Sequence, residues 1–176
     1  LVVDSILKFL LITIVFSYFN IQLLSITYQL LGYLSLVIGA TLPFKETNMK
    51  RFFGEINIGH TGIVLILLSR NVNEYLPAFE YILAYIICFY LFMLLIEYKN
   101  KLTNKSVYKY ILAIILLSIT GIPPFHTFLA KIAIFTQLST NNTHFDLYII
   151  TLYFIFELIF ISIKIKDIIR SNGKLI

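Results

Sequence analysis

A chain of 176 residues that is 59% hydrophobic and 13% charged, with a mean hydropathy of +0.89, is not an ordinary soluble domain, where roughly a quarter of the residues are charged. The net charge of +5 does not indicate nucleic acid, because the basic residues are divided among short loops and do not gather on a polar domain with an aromatic platform. The single cysteine, Cys88, lies in an apolar stretch, which excludes an intrachain disulfide and suits core packing or lipid contact.

Six apolar runs reach or approach the roughly 20 residues that a helical crossing of a bilayer requires, at about 2–20, 24–43, 52–69, 78–98, 108–138 and 147–166. The composition and these runs predict an all-α fold, a polytopic membrane bundle of about six transmembrane helices forming a single domain over 1–176.

The third run is the most diluted. Gly54, Glu55, Asn57, Gly59, His60 and Gly62 precede its apolar half, and small residues of this kind permit close helix contact or water. His60, with an ordinary pKa of about 6.5, is suited to take up and release a proton near neutrality; a packed hydrogen-bonding histidine is the alternative. Glu55 precedes it by five residues, so the two need not share a face, yet they could frame one watery cavity.

The fifth run is too long for one straight crossing, and Gly121-Ile122-Pro123-Pro124 divides it into two half-helices. Lys131 follows this break and is separated from the next loop by Ile132 to Leu138. An ammonium there either snorkels to the interface or sits buried beside unpaired carbonyls as a switchable proton carrier. His126 falls at the turn, where its ring could satisfy freed carbonyls. In the sixth run Glu157, within YFIFELIFISIK, is the clearest carboxylate inside an apolar crossing. It is a relay acid, a fixed partner for Lys131, or a contact to another subunit. Lys131, His60, Glu157 and Glu55 are therefore the candidate site residues. No metal-ligand spacing or Gly-rich nucleotide loop is visible, so any cofactor chemistry belongs to other chains.

Alternating the six crossings puts twelve of the fourteen Lys and Arg residues on one side; Arg70 alone occupies the other, and Lys131 lies between. By the positive-inside rule the basic side is cytoplasmic in a bacterium or matrix in a mitochondrion, and both chain ends lie there.

Two segments resemble a known family, the antiporter-like membrane subunits of proton-pumping NADH:quinone oxidoreductase, respiratory complex I. NMKRFFGEINIGHTG at 48–62 is similar to its Lys-Arg, small-Tyr-Ser-Ser, His-x-Gly segment, and LLSITGIPPFHTFLAKIAIF at 116–135 to its Ser-x-x-Gly-Ile-Pro-Pro segment followed by Gly-Phe-x-x-Lys. YILAYIICFYLF between them resembles the subunit 2 branch, in its mitochondrial form, more than the larger siblings. The sequence departs from the pattern at Gly54-Glu55-Ile56-Asn57 and at Thr127, where the family has Gly.

The resemblance implies a proton half-channel in the mitochondrial inner membrane with Lys131 as the terminal lysine of a proton-transfer chain and His60 near its hydrophilic axis. It implies driving energy from quinone reduction, with NADH, FMN, iron-sulfur clusters and ubiquinone held elsewhere in the complex. The implied partners are other membrane-arm subunits and lipids such as cardiolipin. The family's upstream repeat is not in this sequence, so the chain is expected to be half of an antiporter-like subunit, completed by a separate polypeptide. The alternatives are a structural subunit with no complete channel and an independent ion/proton antiporter.

Overall fold

The computed structural model describes residues 22–70, 76–98, 105–140 and 143–170, which form six α-helices and no strand. The expected first crossing at 2–20 lies outside the described residues.

Helix α1 (Gln22–Thr41) ends where Pro43 cannot continue its hydrogen bonding, and a 3-10 turn, Leu42–Phe44, follows. The next helix, α2 (Met49–Arg70), starts at Asn48, whose side-chain oxygen accepts the Lys50 N–H at 3.0 Å and whose carbonyl accepts Phe52 N–H at 2.9 Å. Pro77 sits in the first turn of α3 (Leu76–Tyr98), where its missing donor is harmless. Helices α4 (Lys105–Thr120) and α5 (His126–Thr140) are the two halves of the broken crossing, and α6 (His144–Arg170) runs 27 residues, with Asp146 in its first turn and Arg170 in its last, each complementing the helix dipole.

Among the described residues, four helices, α1, α2, α3 and α6, are long and apolar enough to cross a membrane by themselves. Both α3 and α6 pack against both halves α4 and α5, so the two halves together span the depth of one long helix. Leu34, Val37, Ile114, Leu129 and Ile155 point outward and are exposed, as lipid contact requires. The chain is a polytopic helical membrane bundle.

The tightest pairing is α1 on α2. A Cβ at Gly39 would stand 2.5 Å from Gly59 N and one at Gly62 would stand 2.7 Å from Gly32 O, so the backbones meet where side chains are missing.

The interior has two apolar cores at different depths. One, toward the basic end, holds Phe52, Phe53 and Ile56 of α2, Phe92 of α3, Leu112 and Leu116 of α4, and Phe160 of α6. The second, toward the opposite end, holds Ile63, Ile66 and Leu67 of α2, Ala78 and Tyr81 of α3, Ala130 and Ile134 of α5, and Ile150 and Tyr153 of α6. Lys164 of α6 donates to the backbone oxygen of Glu46, which places the C-terminal half of α6 beside the connection that carries Lys45 and leads to Lys50 of α2, as the charge pattern implies.

Candidate functional site

Helices α2 and α6 pass from one core to the other at a buried polar residue, His60 and Glu157, and α5 brings the buried Lys131 to the same place. Glu157 stands midway along α6, 13 residues from either end. At ~1.5 Å rise per residue it is about 20 Å from both ends, near the middle of a bilayer.

The break between α4 and α5 builds the first part of the site. Gly121 has φ of +71°, a conformation that favours glycine, and Pro123 and Pro124, joined by a cis peptide bond, supply no donor. Carbonyls at the end of α4 therefore need other partners. Thr127 donates its hydroxyl to Ser118 O, and Lys131 Nζ donates to Thr120 O at 2.9 Å. His126 opens α5 exposed, and the freed carbonyls are taken by Thr127 and Lys131. Thr127, the departure from the family pattern, thus has a definite structural task.

Lys131 is only 6% exposed; its ammonium is buried and does not snorkel. It lies 2.9 Å from Glu157 Oε2 and 4.0 Å from the centre of the Phe154 ring. The alkyl stem passes Gly121, where a Cβ would be 2.9 Å from Lys131 Cδ. Glu157, 1% exposed, turns its other oxygen, Oε1, toward His60 Nε2 at 3.2 Å, close enough for an ion pair but without the alignment of a hydrogen bond. One carboxylate therefore stands between an ammonium and an imidazole. A buried pair of this kind persists only if most of its hydrogen-bonding capacity is met, because removing either partner leaves a bare charge.

His60 is enclosed by three phenols. Its Nδ1 is hydrogen bonded to Tyr81 OH, the Tyr85 ring lies 3.7 Å away at a tilt of 40°, and Tyr153 stands edge-on at 5.8 Å. The Tyr153 hydroxyl donates to Ile56 O at 3.1 Å, while the Tyr85 hydroxyl is buried with no hydrogen-bond partner among the described residues.

Of the residues singled out in the sequence, the structure brings Lys131, Glu157 and His60 into one cluster and keeps Glu55 out of it. Glu55 is half-buried and has Glu46, Arg51 and Lys164 as electrostatic neighbours, toward the basic end. Five residues turn a helix by about 500°, so Glu55 and His60 project to different sides of α2. Cys88 is buried, 3.4 Å from the Ser118 hydroxyl. Among the described residues, no cluster of His, Cys, Asp or Glu is arranged to hold a metal ion.

The phenols stand out less along the chain, since twelve tyrosines are spread through it. Tyr81 and Tyr85 do share a helix face by their spacing of four. Asp146 falls one residue before the apolar run at 147–166 and so reads as a loop residue in the sequence; α6 starts at His144, and Asp146 is fully buried, accepting the Tyr33 hydroxyl, which in turn accepts Gln29 Nε2 at 2.7 Å.

Comparison with known proteins adds an independent result. Residues 2–159 match the family described as NADH:quinone oxidoreductase/Mrp antiporter, TM. The chain is similar to the chloroplastic NAD(P)H-quinone oxidoreductase subunit 2 of Mesostigma viride, 33% identical over 122 residues, covering 61% of this chain and 24% of the relative. It is also similar to NADH-quinone oxidoreductase subunit N of Anaplasma phagocytophilum (strain HZ), 31% identical over 113 residues, with 58% and 24% covered. The corresponding subunit N of Francisella tularensis subsp. holarctica (strain FTNF002-00 / FTA) is 28% identical over 134 residues, with 67% and 28% covered. The chain spans about a quarter of the length of the curated relatives it matches.

Proposed function

Because this chain belongs to the NADH:quinone oxidoreductase/Mrp antiporter transmembrane family, we propose that it is part of a membrane-arm subunit of a proton-translocating NADH:quinone oxidoreductase and carries protons through its own buried ion cluster. The observation that carries this reading is the Lys131–Glu157–His60 cluster, enclosed between two apolar cores beside a helix break. Ionisable groups at such depth are expensive in a membrane and mark ion or proton paths.

In this reading, NADH oxidation and quinone reduction occur on other chains of the complex, where NADH, FMN, iron-sulfur clusters and ubiquinone are bound. This chain's residues hold and move protons. Lys131 and Glu157 cancel one another's charge while both are ionised. A proton arriving on His60 makes an imidazolium that competes with Lys131 for the same carboxylate, because Glu157 has one oxygen toward each. With one carboxylate between them, the two nitrogens share a single counter-charge, and a proton can be held on either side of it. Changes in charge or shape elsewhere in the complex set which of the two holds the proton.

We further place the chain in the mitochondrial inner membrane with the basic end toward the matrix, a reading supported by the division of Lys and Arg residues between the two sides. Its partners are other membrane-arm subunits, a polypeptide that supplies the upstream repeat of the subunit, and lipids including cardiolipin at the basic end. Mass spectrometry of the native assembly tests these partners.

The decisive experiment replaces Lys131 with Ala in the assembled complex and compares NADH:quinone turnover with proton translocation across a closed membrane. Translocation that falls while the complex still assembles supports the proposal. Assembly and coupled pumping both at wild-type level overturn it and leave the chain a structural subunit.

A further inference from the structure

Tyr81 is the buried group that the ion cluster leaves without a task. It lies on α3, five residues from the first residue of that helix, Leu76, and is 2% exposed. That puts it roughly 7–8 Å of helix rise below the end opposite the basic one. Its hydroxyl is hydrogen bonded to His60 Nδ1, while His60 Nε2 faces Glu157 Oε1 and Glu157 Oε2 faces Lys131 Nζ. Four side chains on four different helices thus stand in an unbroken series of contacts, each joined to the next through a different atom.

We propose that Tyr81 is the outermost member of a proton relay running Tyr81–His60–Glu157–Lys131, and that it is the group through which the cluster exchanges protons with the side of the membrane opposite the basic end. The proposal rests on the proton-carrying role given above to Lys131, and deepens it.

The series can pass a proton with every atom accounted for. His60 begins with its ring proton on Nε2 and accepts the Tyr81 O–H at Nδ1. A proton reaching the Tyr81 oxygen from outside lets the phenol give its own proton to Nδ1; the Nε2–H, 3.2 Å from Glu157 Oε1, swings into line and gives its proton to that oxygen, and the carboxylic acid so formed turns about its Cγ–Cδ bond to carry the same proton to a neutral Lys131 amine. Tyr81 ends as it began, Glu157 is again a carboxylate, Lys131 is an ammonium, and His60 is left with its proton on Nδ1. Outward transfer is the reverse. Each passage leaves the imidazole in the opposite tautomer, so the ring must be reset before a second proton follows in the same direction. The relay is by construction a one-proton device.

Contact and position single out Tyr81: of the three phenols around His60 it is the one hydrogen bonded to the imidazole, and it lies five residues from the first residue of α3, at the end opposite the basic one. Toward the basic end the cluster adjoins a core that holds Tyr85 and Cys88 beside Ile56, Phe53, Phe92, Leu116, Ile119 and Phe160. The groups facing His60 from the helices packed around it are Tyr81 and Tyr85 of α3, Tyr153 and Glu157 of α6 and, behind Glu157, Lys131 of α5; Tyr153 has its hydroxyl committed to Ile56 O.

The test uses the assembled complex in closed vesicles. Tyr81→Phe keeps the ring and removes the relay hydroxyl; the expected result is a several-fold loss of protons moved per NADH oxidised, with complex content unchanged. Tyr81→His, which restores an exchangeable proton on a shorter side chain, is expected to recover part of it. A second variant, 3-fluorotyrosine at position 81, keeps hydroxyl and packing while making the phenol more acidic, and is expected to shift the pH profile of translocation to lower pH. Wild-type translocation in Tyr81→Phe overturns the relay, as does an unshifted profile with 3-fluorotyrosine if Tyr81→Phe does not assemble. Loss in Lys131→Ala with normal pumping in Tyr81→Phe refutes the relay alone; normal pumping in Lys131→Ala refutes the proton-carrying role on which it rests.

Discussion

Gly59 makes the room in which Tyr153 lies: a Cβ on Gly59 would be 2.1 Å from the Tyr153 hydroxyl oxygen and 2.3 Å from the ring carbon that bears it. The phenol could not reach Ile56 O, nor stand edge-on to His60, if residue 59 had any side chain.

Gly59→Ala is therefore expected to destabilise the bundle by about 1–3 kcal/mol through overpacking and to lower proton translocation by displacing Tyr153 from the His60 ring. Gly54→Ala is the control. Nothing lies within 4 Å of a Cβ at that position, so this change is expected to stabilise by roughly 0.5–1 kcal/mol, since alanine is the better helix former. Thermal unfolding in detergent separates the two; equal melting temperatures for both variants would contradict the packing.

Glu157→Gln removes the charge that Lys131 and His60 share but keeps the shape. The ammonium then has the Thr120 carbonyl, the Phe154 ring and a neutral amide oxygen, and the loss of its buried counter-charge is expected to weaken the fold by about 3–5 kcal/mol unless Lys131 becomes neutral. The double variant Glu157→Gln, Lys131→Met is expected to regain most of that stability without regaining proton transport. A double-mutant cycle on unfolding supplies the check.

Gly121→Ala meets two obstacles. The left-handed backbone disfavours any Cβ by about 1–2 kcal/mol, and the added atom would press on Lys131 Cδ at 2.9 Å. The lysine stem can shift, so the complex is expected to assemble with Lys131 displaced from Glu157. Slower translocation at unchanged complex content is the expected reading.

Thr127→Val keeps the branched shape and removes the hydroxyl that serves Ser118 O. A loss of about 0.5–1.5 kcal/mol is expected, with faster amide exchange at the end of α4 observed by mass spectrometry. Protection equal to wild type would show that the carbonyl does not depend on this hydroxyl.

Much of the architecture was legible because a membrane simplifies the signals. Apolar length gave the crossings, paired prolines gave the break between Thr120 and His126, and isolated charges in apolar runs gave Lys131 and Glu157. His60 was readable as a proton-active residue, but not as a neighbour of Glu157, since the contact joins positions 97 residues apart and depends on how α2 and α6 lie together. Glu55 looked equivalent to His60 along the chain and is separated from it by helix rotation. Tyr81 and Tyr153 carried no charge to set them apart from the other tyrosines in apolar surroundings. Asp146 stood just outside an apolar run and appeared to belong to a loop, yet α6 begins early enough to draw it wholly inside.

The two apolar cores also act as electrical insulation. Apolar side chains fill the bundle toward both ends and Glu157 stands midway along α6, so the ion cluster lies near the midpoint of a potential that falls across the membrane. A proton moving between one surface and the cluster therefore crosses about half of the potential, or roughly 1.2 kcal/mol for each 100 mV. In the proposed proton-carrying role, a step between the cluster and one surface then works against about half of the voltage and never against the whole of it.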